Sequence, residues 1–466
     1  MILLILSLYS AWTMEVVTTE TNLASPTIAV DSLGNPALVI SVDRIFAPPM
    51  LCYLILYYKN NGNWLADTFE SNAESNGVLV VDRYNEFWIM YLAYNMIDTI
   101  WYLVVAHKDS NGNWTKDTVE DRHLTQAMLL PGSIVTDSSG NPHIVYAGWT
   151  TFHQNQATYY AFLCDTLWQK EIVDSGYIGV VNGWAVDLDS QNRPQISYFG
   201  NGGNDLWSAK KNDSIWLYET VDPTNYANWW VTSIRVNPTT NLPTIAYKDP
   251  NTYQMKFAWD DGLAWHIDTV ESVGGIRTQK ALDIDSLGKP YIVYNNTVAY
   301  KDSTGWHYAP LPPLIPPLTQ YAPGALRLGR DGIIHVSRLA TNDDYTYREV
   351  HHIYGTPAEI EESNQVARNI QYILFSSPNP FERHTTVHYR FSSILNNDLD
   401  NQVSLKIFDV VGRLVKALIN DHQQDGSSSI TWNGRDENNH EVSSGIYFCM
   451  LKTETFCKTI KLIVLR

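Results

Sequence analysis

The chain lacks most of the features that announce a catalytic site. Its 466 residues include 4 cysteines, too few for a disulfide framework. Basic residues are outnumbered, with 32 Lys+Arg against 49 Asp+Glu and a formal net charge of −17. That balance argues against nucleic acid or an anionic membrane as partner. Long apolar runs are missing. Residues 1–11 form the one candidate, too short to span a bilayer. They read as a signal-peptide core with small residues, Ser10 and Ala11, near the cleavage point, although no Lys or Arg precedes them. Absent too are H-E-x-x-H, C-x-x-C, G-x-S-x-G and a glycine-rich phosphate loop. No cofactor is expected. His351 and His352 are adjacent, so on a strand they point to opposite faces and share no metal. Asp343-Asp344 reads as a solvated turn rather than a Ca²⁺ site.

Aromatic residues are plentiful: 16 Trp and 28 Tyr suit β-structure, and they recur in phrase. The first phrase is D-S-x-G-x-P-x-I-x-Y. It is clear at Asp31, Asp137, Asp189 and Asp285, and weaker at Asp82, Asn237 and Gly329, making seven copies. Asp and Ser bond their own backbone in such a turn, Gly takes the left-handed conformation, and Pro opens a strand where a missing donor is tolerated. The second phrase is G-x-W-x-x-[DE]-T-V-[DE], centred on Trp64, Trp114, Trp168, Trp216, Trp265 and Trp306. A further copy, Trp12-Thr13-Met14-Glu15, stands at the N-terminal end.

Each unit reads as strand, D-S-x-G turn, strand, loop, strand, G-x-W turn, strand. Four antiparallel strands per repeat of this length make a propeller blade. The fold class expected is all-β, a seven-bladed β-propeller over residues 12–354 followed by a small Ig-like β-sandwich. The Trp12 phrase supplies the outer strand of the seventh blade, whose other strands fall within residues 325–354, and closes the ring. The Trp residues fill the wedges between blades. The proline-rich stretch 310–317 spaces blades six and seven, and residues 355–370 form a linker.

Residues 371–466 change character. They contain Pro378-Asn379-Pro380-Phe381, then Leu405-Lys406-Ile407-Phe408-Asp409-Val410-Val411-Gly412-Arg413. Trp432-Asn433-Gly434-Arg435-Asp436, Ser444-Gly445-Ile446-Tyr447-Phe448 and Lys461-Leu462-Ile463-Val464-Leu465-Arg466 follow. These motifs, in this order, resemble the C-terminal sorting domain of the type IX (Por) secretion system. That domain is a small Ig-like sandwich related to the Ig-like domain of flagellar hook-capping proteins. The resemblance implies passage through the periplasm to the cell surface or medium, with the type IX translocon as partner. Cys449 and Cys457 flank a turn near Thr453 and are expected side by side on neighbouring strands as a disulfide candidate. Cys52 and Cys164 read as buried free thiols.

The propeller loosely resembles sialidase and neuraminidase-like propellers, without their S-x-D-x-G-x-T-W box. Arginine is sparse, and no three arginines take equivalent inner positions. Ligand candidates are instead sought where the innermost strands begin, at one mouth of the channel: Trp229, Trp230, Arg277, Lys280, His123, Tyr177 and Tyr321. Two functional classes stay open. One is a non-catalytic module binding a polysaccharide or a surface protein. The other is a secreted glycan-active hydrolase or lyase. A close pair of carboxylates in the channel mouth favours the second; amides and aromatics alone favour the first.

Overall fold

A computed structural model describes residues 4–5, 12–20, 22–24, 26–43, 51–73, 77–95, 97–98, 100–123, 129–149, 156–175, 183–200, 205–212, 214–223, 231–249, 251–272, 280–315, 317–356, 373–377, 379–391, 401–423, 426–452 and 457–465. The chain is all-β and divides into two units, residues 1–360 and 361–466.

The first unit is a seven-bladed propeller. Its blades open on the inner strands Thr27–Val30, Val78–Val81, Leu129–Thr136, Ala185–Leu188, Thr232–Val236, Leu282–Ile284 and Gln320–Leu328. Each inner strand contacts the next, and the seventh contacts the first, so the ring is closed. Blade four shows the pattern: Ala185–Leu188, Pro194–Gly200, Asp205–Asn212 and Ile215–Asp222 pair in sequence order, all antiparallel. Proline opens the second strand in five blades, at Pro36, Pro142, Pro194, Pro243 and Pro290. Blade seven takes its fourth strand from the other end of the chain. Thr13–Glu20 pairs with Arg348–Gly355 from Thr13↔Tyr354 to Glu20↔Arg348. Leu4–Ile5 adds a short strand outside it.

The first phrase forms the turns it was expected to form. In Asp31-Ser32-Leu33-Gly34, Asp31 Oδ1 accepts from the backbone N–H of Leu33 and Asn35 at 2.9 and 2.7 Å. Gly34 sits at φ 85°, the left-handed region that favours glycine, and a Cβ there would come within 2.6 Å of Asp331 Oδ2 in the neighbouring blade. Where Asn replaces this glycine, at Asn85, Asn192 and Asn241, φ stays positive. The amide then gains a second task, accepting from the N–H of Ser32, Ser138 and Ser190 in the preceding blade.

The second phrase proves to be a seam between blades. Its Trp indole donates to the first acid of the preceding blade's phrase. The pairs are Trp64 to Glu15, Trp114 to Asp67, Trp168 to Asp117, Trp216 to Glu171, Trp265 to Glu219 and Trp306 to Asp268, at 2.8–3.4 Å. The phrase's last acid accepts from the tyrosine of the next blade's first phrase: Tyr91 to Glu70, Tyr146 to Glu120 and Tyr247 to Asp222, at 2.9, 3.2 and 2.6 Å. Burial, then the adjacent acids, push the Tyr91 and Tyr247 phenols above their usual range, so they remain donors. In blade seven the tyrosine position holds Arg338, fully buried, which donates to Asn296 Oδ1 and the Pro312 carbonyl at 2.8 and 2.6 Å. The proline-rich connector is thereby pinned to the blade it precedes.

The second unit is a sandwich of a three-stranded and a four-stranded sheet. Its core includes Val387, Tyr389, Leu405, Ile407, Trp432, Leu451 and Leu462. Here the cysteine expectation needs correction. Gly445–Lys452 and Cys457–Val464 are indeed neighbouring antiparallel strands. Their register, however, places Cys449 opposite Ile460 and Cys457 opposite Lys452. Cys449 is a buried free thiol, and burial pushes it up to about 12. Counting outward from the turn explains the mismatch: the strands meet at Lys452↔Cys457, so Cys449 lies three pairs further along. Cys164 is free as expected but exposed, not buried, because it ends its strand at a turn.

Candidate functional site

Geometry gives the propeller two mouths. Both phrases turn at one, while the strand starts and the remaining loops gather at the other. Of the sequence candidates, Trp229, Trp230, Arg277 and Tyr177 lie outside the described residues. His123 needs relocation. It ends the outer strand of blade two, Trp114–His123, opposite Ile100, and its side chain lies outside the described residues. Tyr321 is exposed on the inner strand of blade seven. Among the described candidates, Lys280 is the one that lines the channel cavity.

The turn-side mouth holds a cavity of about 650 Å³. All seven blades contribute to its wall through one equivalent position, two residues before the first turn. Around the ring this position reads Ala29, Val80, Val135, Asp187, Arg235, Asp283 and Arg327. Blades one to three present small apolar side chains. Blades four to seven present acid, base, acid, base.

The charged arc is bonded asymmetrically. Arg235 bridges both acids, with Nε 2.7 Å from Asp283 Oδ1 and Nη1 3.3 Å from Asp187 Oδ1. Asp187 Oδ2 accepts from Val236 N at 2.8 Å and Asp283 Oδ2 from Leu328 N at 2.9 Å. All four oxygens are engaged. Burial disfavours the Arg235 charge, but the two carboxylates outweigh it and hold the guanidinium above its usual range. Arg327 differs. Its bond is from Nη1 to the Leu326 carbonyl at 2.8 Å, and among the described residues it has no carboxylate ion pair. Burial lowers it to about 10. Lys280 is 4 % exposed and reaches the Ile134 carbonyl across the channel. Burial, then the charges of Arg327 and Arg235, push its ammonium well below the usual lysine range.

Asp31, Asp82 and Asp137 stand at the rim, and they are spent on their own turns. Their Oδ1 atoms accept backbone N–H groups. Their Oδ2 atoms accept from Asn35, Trp88 and Asn141. Among the described residues no cluster of three or more His, Cys, Asp or Glu has metal-binding geometry. The alternating wall was open to sequence reading and was missed. Aligning the inner strands on their turns gives A-V-D-L, S-I-R-V, A-L-D-I and A-L-R-L for blades four to seven. Reading arginines as isolated residues hid that register.

The fold invites comparison with known proteins. A family model, the FlgD Ig-like domain, matches residues 392–455. No curated protein matches the chain. Among solved structures, the chain is similar to a protein of unknown function from Dyadobacter fermentans at 10 % identity, covering 74 % of this chain and 99 % of that one, with a TM-score of 0.44. It is similar to PorZ, a surface component of the type IX secretion system of Porphyromonas gingivalis, at 11 % identity, covering 94 % and 81 %, with a TM-score of 0.27. It is also similar to the α-L-arabinofuranosidase Arb93A of Fusarium graminearum, at 10 % identity, covering 73 % and 96 %, with a TM-score of 0.45.

Proposed function

We propose that this chain is an exported, surface-displayed propeller that binds a ligand without transforming it, and that its Ig-like unit is the type IX sorting domain. One observation carries the binding reading. The two wall carboxylates of the channel are bridged by Arg235, and every oxygen accepts a hydrogen bond. A glycoside-cleaving pair needs one carboxyl free to protonate the leaving oxygen and another free to act on the sugar or on water. Neither wall acid is free. The hydrolase or lyase alternative therefore gains no support from this mouth.

The export half rests on the motifs of residues 371–466 and on the match of residues 392–455 to the FlgD Ig-like domain. Residues 1–11 serve as the signal peptide in this reading. No helix of the described residues is long and apolar enough to cross a membrane. The translocon is the partner that reads the Ig-like unit, and a surface polysaccharide or protein is the partner of the propeller. The test compares the full chain with a version ending at Tyr354, in a host carrying the secretion system. Surface or medium delivery of the full chain alone supports the sorting role. Delivery of both overturns it. Cleavage of neutral or acidic polysaccharides by the full chain overturns the non-catalytic half.

A further inference from the structure

The turn-side cavity has an imbalance between donors and acceptors. Its wall and rim hold five carboxylates, and each of their ten oxygens already accepts a hydrogen bond from a backbone N–H, an indole, an amide or Arg235. The cations are less fully used. A guanidinium carries five N–H donors, and Arg327 donates to one backbone carbonyl. Arg330, on the rim beside it, is exposed and makes no ion pair among the described residues. Lys280 brings a third cation to the cavity, disfavoured by the charges of Arg327 and Arg235, with its ammonium on the Ile134 carbonyl across the channel. The side chains of the opposite wall, Ala29, Val80 and Val135, are small and apolar, so they leave room and carry no polar group of their own.

We infer that this cavity binds a small oxyanion-bearing molecule, with Arg327 as its principal contact, the Lys280 ammonium across the channel and Arg330 at the entrance. The ligand class follows from the imbalance. Guanidinium donors left over beside carboxylates that already accept select a group that accepts, and a planar guanidinium matches a carboxylate or a sulfate or phosphate ester through two parallel bonds. The volume of about 650 Å³ lies within the usual range for small-molecule sites. It suits an acid of one or two sugar units rather than a polymer threaded through the channel. Arg235 takes no part in this contact, since its two acids hold it. The inference rests on the proposed binding role and names the ligand chemistry for it.

The test is calorimetric titration of the full chain with D-glucuronate, with glucose 6-sulfate and glucose 6-phosphate as the other oxyanions and D-glucose as the neutral control. At least one oxyanion is expected to bind, and D-glucose at least tenfold more weakly. Which oxyanion binds best identifies the carboxylate or ester source. Arg327→Met should weaken binding at least tenfold with an unchanged thermal midpoint, and Arg330→Met two- to threefold. Lys280→Met tests the inner cation; if it lowers the midpoint, the Arg327 variant still decides. Equal affinity for D-glucose, no binding by any oxyanion at millimolar concentration, or full affinity in a folded Arg327→Met protein overturns the inference. Surface delivery in the secretion experiment is unaffected by any of these results, so the two readings fail separately.

Discussion

Two halves of the channel wall, built from the same repeat, have diverged in opposite directions. Blades one to three offer Ala29, Val80 and Val135; blades four to seven offer Asp187, Arg235, Asp283 and Arg327. The turns below this position hardly change, nor do the Trp–acid seams outside it. Positions that hold the ring together are therefore the repeated ones, and the position that breaks the repeat faces the cavity. In a repeat protein the residues that fail to repeat are the better guide to a site.

Mutating the repeated framework should cost stability and spare ligand binding, and mutating the wall should do the reverse. The largest framework effect is expected at the closing seam. Glu15 is 6 % exposed and takes Lys59 at 2.7 Å, Trp64 at 3.1 Å and His352 at 3.4 Å. Glu15→Ala strands a part-buried ammonium and an indole, and should cost about 3 kcal/mol in chemical denaturation. A loss indistinguishable from zero would show that the N-terminal strand does not close the ring.

Acid should open the same seam. Burial, then the charges of His352 and Lys59, lowers His335 to about 3, and burial also lowers His351 and His352. These histidines are harder to protonate folded than unfolded. Their stabilising contribution is whole above about pH 6.5 and is lost as pH falls toward the folded values. Glu15 acts in the same direction at lower pH. Burial raises it, but bonds from His352 and Lys59 prevail and hold it at about 2; its contribution is lost below about pH 4.5. Between pH 7.5 and 5.0, His335 alone should cost about 2 kcal/mol. A flat profile of unfolding free energy over that range would contradict the assignment, and His335→Asn should flatten it.

The smallest effect belongs to an exposed seam. Asp117 is exposed, and its bond with Trp168 spans 3.4 Å. Asp117→Ala should cost no more than about 0.5 kcal/mol, measured beside Glu15→Ala. A loss as large as that of Glu15→Ala would mean that the indole–acid bond, rather than the buried Lys and His partners, sets seam strength.

Much of the fold was legible because its signals are local. Asp-Ser-x-Gly specifies a turn through bonds reaching two and four residues along the chain, and the spacing of its copies gave the blade count. The Trp12-Thr13-Met14-Glu15 phrase pointed to the strand found beside Arg348–Gly355. The acids of the second phrase were seen but not explained, since their tryptophan and tyrosine partners lie in the next blade, 21 to 51 residues away. Cys449 and Cys457 failed for a related reason: adjacency of strands follows from the turn, whereas register depends on where the turn closes. The site was the least legible part. Lys280 was found from its place before a turn. Arg235 and Arg327 were not, because their meaning lies in a ring position that emerges only when seven short strands are superposed.

Two arginines at equivalent wall positions, Arg235 and Arg327, are bonded differently, one to two carboxylates and the other to a backbone carbonyl. The direct measurement is the unfolding free energy of Arg235→Met and Arg327→Met side by side, without ligand. Arg235→Met leaves Asp187 and Asp283 without their shared cation and should lose about 2 kcal/mol. Arg327→Met removes a half-buried charge that no carboxylate holds and should lose nothing, or gain slightly. Equal losses in the two variants would mean that Arg327 belongs to the frame as Arg235 does, and the channel wall would then hold no cation reserved for a ligand.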